Sequence, residues 1–72
     1  MQPRFTYDSE VRVTRNAPQE MRPGKRAWVV AIKVGKNFPT YREFKSEVVY
    51  TVEFEDGSAL DIEECFLEPL TN

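Results

Sequence analysis

Carboxylates are the reactive groups this chain holds in quantity, with 12 Asp and Glu against 10 Lys and Arg, one cysteine and no histidine in 72 residues. Asp61, Glu63 and Glu64 cluster closely and are of the type that ligates a hard cation. A calcium loop, however, spreads alternating acids over about twelve residues around a central glycine. That spacing is missing, so no metal or cofactor is expected. A carboxylate pair working as acid and base needs a pocket, and a domain this small rarely encloses one. A Cys/His zinc site, a Ser-His or Cys-His nucleophile pair and an internal disulfide each need residues that the chain lacks. Cys65 stands beside Glu63 and Glu64, which disfavour a thiolate, and it reads as a small packing residue. The expectation is a protein that is not an enzyme.

Binding is the remaining chemistry, and charge and aromatic placement give it content. Residues 1–45 hold all ten bases and four acids, hence +6, whereas residues 46–72 hold eight acids and no base, hence −8. An acidic surface built from Glu53, Glu55, Asp61, Glu63, Glu64 and Glu68 would steer a basic partner. The competing expectation is pairing inside the sheet, with Lys25, Arg26 or Lys33 facing Glu47 or Glu53 across neighbouring strands. The segment 36–44 places Phe38, Tyr41 and Phe44 in one loop, and three loop aromatics cannot all be core. Phe38, Tyr41 and Arg42 are therefore candidate partner contacts. The basic half, interleaved with Trp28 and these aromatics, gives the alternative of a stacking and phosphate-binding surface for nucleic acid. Trp28 itself reads as packing, in the core or over its outer face.

The elements that must position these residues are strands. Residues 10–15 alternate with period two, placing Val11 and Val13 on one face. Asn16-Ala17-Pro18 and Arg22-Pro23-Gly24 bracket a long loop. Residues 25–34 form a continuous β-prone run in which neither parity is polar throughout, as expected for a strand covered on both faces or curling at a barrel corner. Alternation returns with Val48, Tyr50, Val52 and Phe54 on one face. Asp56-Gly57 then supplies the residues of a type I′ hairpin turn, and residues 58–62 resume the pattern with Leu60 and Ile62 inward. Residues 63–66 suit one short 3₁₀ turn, and 67–70 a last strand that Pro69 confines to an edge. The chain reads as one all-β domain, 1–72, with residues 1–8 as a flexible lead. Closure into a barrel would remove its exposed edges.

The layout resembles the SH3-like barrels, KOW and Tudor modules and small accessory subunits of redox complexes included. The resemblance rests on the Val11-x-Val13 strand, the loop closing on Gly24 and the Gly24, Ala27, Val29, Ile32 spacing. It continues with Tyr50-x-Val52-x-Phe54-x-Asp56-Gly57, followed by Leu60, Ile62 and Leu67. It implies a five-stranded antiparallel SH3-like barrel with a short 3₁₀ turn before the last strand. The ALYDY-type segment and paired tryptophans of peptide-binding SH3 domains are absent, which disfavours PxxP ligands. The aromatic lead Phe5-Thr6-Tyr7, the Asn16-x-Pro18 loop and the acidic close at Leu67-Glu68 are similar to small SH3-like immunity proteins of bacterial polymorphic toxin systems.

Together these features suggest a small protein-interaction module, of immunity-inhibitor or adaptor kind, with a nucleic-acid-binding module or an accessory subunit of a larger enzyme as alternatives. The first ten residues carry Arg4, Asp8 and Glu10 without an apolar run, and so resemble neither a signal peptide nor an anchor. The longest apolar stretch, residues 27–32, is far short of the roughly 20 that a spanning helix needs. A lone cysteine fits a reducing, cytoplasmic compartment.

Overall fold

In the computed structural model, residues 3–35 and 48–70 are described. They form an all-β unit of five strands, β1 (Glu10–Val13), β2 (Arg26–Val34), β3 (Val48–Phe54), β4 (Ala59–Glu63) and β5 (Leu67–Pro69). Every pairing is antiparallel, in the order β4-β3-β2-β1-β5. Among the described residues there is no α-helix, and two 3₁₀ turns, Gln19–Met21 and Glu64–Phe66, complete the regular structure. None of the described helices is long and apolar enough to cross a membrane. Among the described residues the sheet is not closed by a β4–β5 pairing, and the expected loop contacts Phe38, Tyr41 and Arg42 lie outside them.

Alternation explains β1, where Val11 and Val13 are fully buried while Glu10 and Arg12 face solvent. In β2 it fails for a definite reason. Val29 pairs with Val52 but the next matched positions are Ala31 with Thr51 and Ile32 with Tyr50, so Val30 is an extra residue in a bulge. A bulge reverses the side-chain parity of the residues beyond it. Ala27 and Val29 point inward before it and Ile32 packs on the core after it, which produces a run with no polar parity. Val48, Tyr50, Val52 and Phe54 of β3 join Ile62 and Leu67 in the same core.

Two connections differ from the sequence expectation. The β3–β4 turn is not type I′, which needs positive φ at both central residues. Only Gly57 is left-handed there (φ 87°). The Gly57 N–H donates to Phe54 O at 3.0 Å and the Phe54 N–H to Ser58 O at 2.8 Å, giving a three-residue loop. Asp56 fixes it by accepting from the Ser58 N–H at 3.0 Å and Ser58 Oγ at 2.6 Å. The first long loop is also structured. Its 3₁₀ turn buries Met21, and Ala17 joins the core beside it.

The lead is not a free tail. Phe5 is a core residue, set edge-on to Tyr50 with centroids 5.4 Å apart. The Phe5 N–H donates to Tyr50 Oη at 3.1 Å, and Tyr50 Oη donates in turn to Glu64 Oε2 at 2.7 Å. The same carboxylate oxygen accepts from the Arg4 N–H at 2.8 Å. Lead, β3 and the second 3₁₀ turn are thereby joined through one phenol. The last turn is tied to β1 as well, because the Thr14 N–H donates to Phe66 O at 2.9 Å.

Candidate interaction surface

The acids singled out in the sequence have separate fates. Asp61, on β4, forms an ion pair with Lys33 of β2 at 3.0 Å and accepts a hydrogen bond from Thr51 Oγ1. Glu63 is 3% exposed. It stands directly across from Val49, which is also buried, so this end of the sheet is covered on both faces and Glu63 adds nothing to an exposed acidic surface. Glu64 is the acceptor that holds the lead. Glu68 lies on β5, opposite Arg12 in register, at the far end of the strand order from Asp61. These four residues do not make one exposed acidic patch.

The bases are distributed in the same manner. Arg26 Nη2 lies 3.0 Å from Glu10 Oε2, and its guanidinium sits 4.9 Å from the Trp28 ring centroid. Arg22 reaches Asp56 at 3.4 Å and Ser58 Oγ at 2.6 Å while stacking 4.7 Å from the centre of Phe54. The internal pairing expected from the sequence is thus present, with other partners. Arg26 pairs with β1 rather than β3, and Lys33 reaches past β3 to β4.

Two groups carry perturbed acidities. Burial raises the Tyr50 phenol above its ordinary 10.0, reinforced by its hydrogen bond to the anionic Glu64. Asp56 is held below its ordinary 3.8, chiefly by the hydrogen bonds from Ser58 and then by the charge of Arg22. Both shifts belong to structural contacts. Among the described residues, no group of three or more Cys, Asp or Glu side chains is arranged to hold a metal ion.

The outer face brings together residues that the sequence named separately. An open groove of about 560 Å³ is lined by Arg26, Trp28, Glu53, Phe54, Glu55 and Gly57. A smaller cavity of about 250 Å³ adjoins it along Arg22, Lys25 and Asp56. Register builds the groove. Trp28 lies between Glu10 on β1 and Glu53 on β3, so an aromatic ring is flanked by a carboxylate on either side. Trp28 is half-buried rather than in the core. Glu53 and Glu55 are exposed, and neither forms an ion pair with a described residue. The outward parity of Trp28 was available from its inward neighbours Ala27 and Val29, but its juxtaposition with Glu53 requires the β2–β3 register. An aromatic face beside carboxylates that no described base pairs with has the chemistry to hold an organic cation.

No protein-family model matches this chain, no curated protein matches its sequence and no solved structure matches its fold.

Proposed function

We propose that the protein is a small SH3-like barrel acting as a non-enzymatic protein-interaction module, of inhibitor or adaptor kind. The fold assignment is supported by an antiparallel β1–β4 meander with β5 returning to pair with β1, a 3₁₀ turn directly before that last strand and a bulge in β2. Its functional part is carried by one observation, the Trp28 groove lined by Glu53 and Glu55, neither of which forms an ion pair with a described residue. A concave, solvent-open surface with an aromatic floor and an acidic rim suits a basic stretch of another protein. The exposed, free thiol of Cys65 fits action in a reducing, cytoplasmic compartment.

The nucleic-acid reading is the weaker one. Phosphate binding draws on unpaired Lys and Arg; Arg22, Arg26 and Lys33 each contact an acid of their own chain, which leaves that reading Arg4, Arg12, Arg15 and Lys25 among the described residues. The discriminating experiment is affinity capture from the source cell with the wild-type chain and Glu55→Lys as baits, beside oligonucleotide titrations at several salt concentrations. A stoichiometric protein partner retained by the wild type and lost by Glu55→Lys is expected. Oligonucleotide binding with a steep salt dependence, and no protein retained, would overturn the proposal.

A further inference from the structure

We infer, resting on the interaction-module reading, that the Trp28 groove is a receptor for an arginine side chain of the partner protein. The molecule already contains a stand-in for that ligand. Arg26 lays its guanidinium over the Trp28 ring while pairing with Glu10, so one side of the ring holds an arginine between an aromatic face and a carboxylate.

The groove, which Arg26 itself lines, brings further carboxylates beside the same ring. Glu53 is the cross-strand neighbour of Trp28 on β3, as Glu10 is on β1. Glu53 and Glu55 both line the groove, with Gly57 of the β3–β4 turn beside them. With Arg26 paired to Glu10, the remaining charges of the lining are those of Glu53 and Glu55, and Lys25 lines the adjoining cavity that Glu55 shares. The complement of the groove is a cation with a flat face. A guanidinium meets that description better than an ammonium, because it stacks on the ring and donates in a planar fork to carboxylates.

Trp28 is the sole tryptophan of the sequence and reports on its own groove. The full chain would be titrated, with fluorescence detection, against a short acetylated and amidated peptide holding two arginines separated by glycine. The same peptide with citrulline in place of arginine keeps the shape and removes the charge. A saturable Trp28 response is expected, about tenfold weaker for the citrulline peptide and about tenfold weaker for the variant combining Glu53→Gln with Glu55→Gln. Both substituted positions are exposed, and an unchanged thermal melt would show that the fold is intact. Equal affinity for the two peptides, or wild-type affinity in the double variant, would overturn the inference. If Glu55→Lys still abolished capture of a partner in that case, the ligand class would fall and the interaction module would stand. If capture were also insensitive to Glu55→Lys, both would fall.

Discussion

Removing one oxygen, by Tyr50→Phe, tests how the lead is held to the sheet. The side chain is fully buried, and its hydroxyl accepts from the Phe5 N–H at 3.1 Å and donates to Glu64 Oε2 at 2.7 Å. Phenylalanine keeps the ring and its edge-on contact with Phe5 but leaves a backbone N–H without its acceptor, a loss of about 1–3 kcal/mol. The bond to a carboxylate is charge-assisted, worth about 1.5–3 kcal/mol, with the lower end appropriate to the half-exposed Glu64. Glu64 retains the Arg4 N–H, which softens the change. A net loss of about 2–4 kcal/mol is expected, to be set against the roughly 4–11 kcal/mol of total stability usual for a chain of this length. At about 4–8 °C per kcal/mol, the midpoint should fall by roughly 8–32 °C.

The pH dependence supplies an independent check. The folded-state pKa of Tyr50 is raised above 10.0, first by burial and then by Glu64. Its contribution is therefore fully present below pH 10 and is lost as pH rises through the folded value. Urea denaturation followed by circular dichroism should show the gap between wild type and Tyr50→Phe to be widest at pH 7 and to narrow in strongly alkaline solution. Hydrogen exchange should locate the loosening at Arg4 and Phe5. A stability within about 0.5 kcal/mol of wild type at pH 7, with a gap that does not change with pH, would refute the idea that this phenol fastens the lead.

Gly57→Ala forces an L residue to φ 87° in a position with open space around it, so its cost is purely conformational, about 1–2 kcal/mol by urea denaturation. Asp56 has a depressed folded-state pKa, so its contribution is present above pH 3.8 and disappears as pH falls through the folded value; Asp56→Asn should flatten the acid limb of a stability–pH curve while leaving the alkaline limb in place. Arg22 occupies left-handed backbone at φ 60°, so Arg22→Gly, which relieves that conformation, should be more stable in urea than Arg22→Ala by several tenths of a kcal/mol, although both lose the contacts to Phe54 and Ser58.

Strand identity was readable because period-two alternation depends only on which face meets the core. Val11 and Val13, and Val48 to Phe54 at alternate positions, obey it. Features that two segments decide together could not be read locally. The β2 bulge is a property of the pairing between β2 and β3, and appears in one strand only as a Val29-x-x-Ile32 spacing without polar parity. Asp56-Gly57 names a tight turn, but whether one or two residues adopt positive φ depends on where Phe54 and Ser58 close the ladder. Glu63 has outward parity next to the inward Ile62, and only the covering of both faces at that end of the sheet buries it. Trp28 has outward parity too, and becomes part of a groove because Glu53 is delivered beside it from 25 residues away.

The division of charge along the chain, +6 followed by −8, does not become a division of the surface, and sheet topology is the reason. An antiparallel meander sets each strand beside the one that precedes it, so a basic β2 is delivered between an acidic β3 and the Glu10 end of β1. Arg22, Arg26 and Lys33 then find Asp56, Glu10 and Asp61 within 3.0–3.4 Å. Exposed pairs of this kind contribute only about 0–1 kcal/mol each, so their main consequence is to determine which charges remain for a partner. Segregation in sequence predicts two opposed faces; among the described residues the three ion pairs take up three bases and three acids, and leave Arg4, Arg12, Arg15 and Lys25 as well as several acids outside them. On the outer face those acids include Glu53 and Glu55, and they stand where the single tryptophan is open to solvent. Because acids that no described base pairs with adjoin the half-buried Trp28, that groove, rather than the acidic half as a whole, is where a basic partner would gain both charge pairing and stacking.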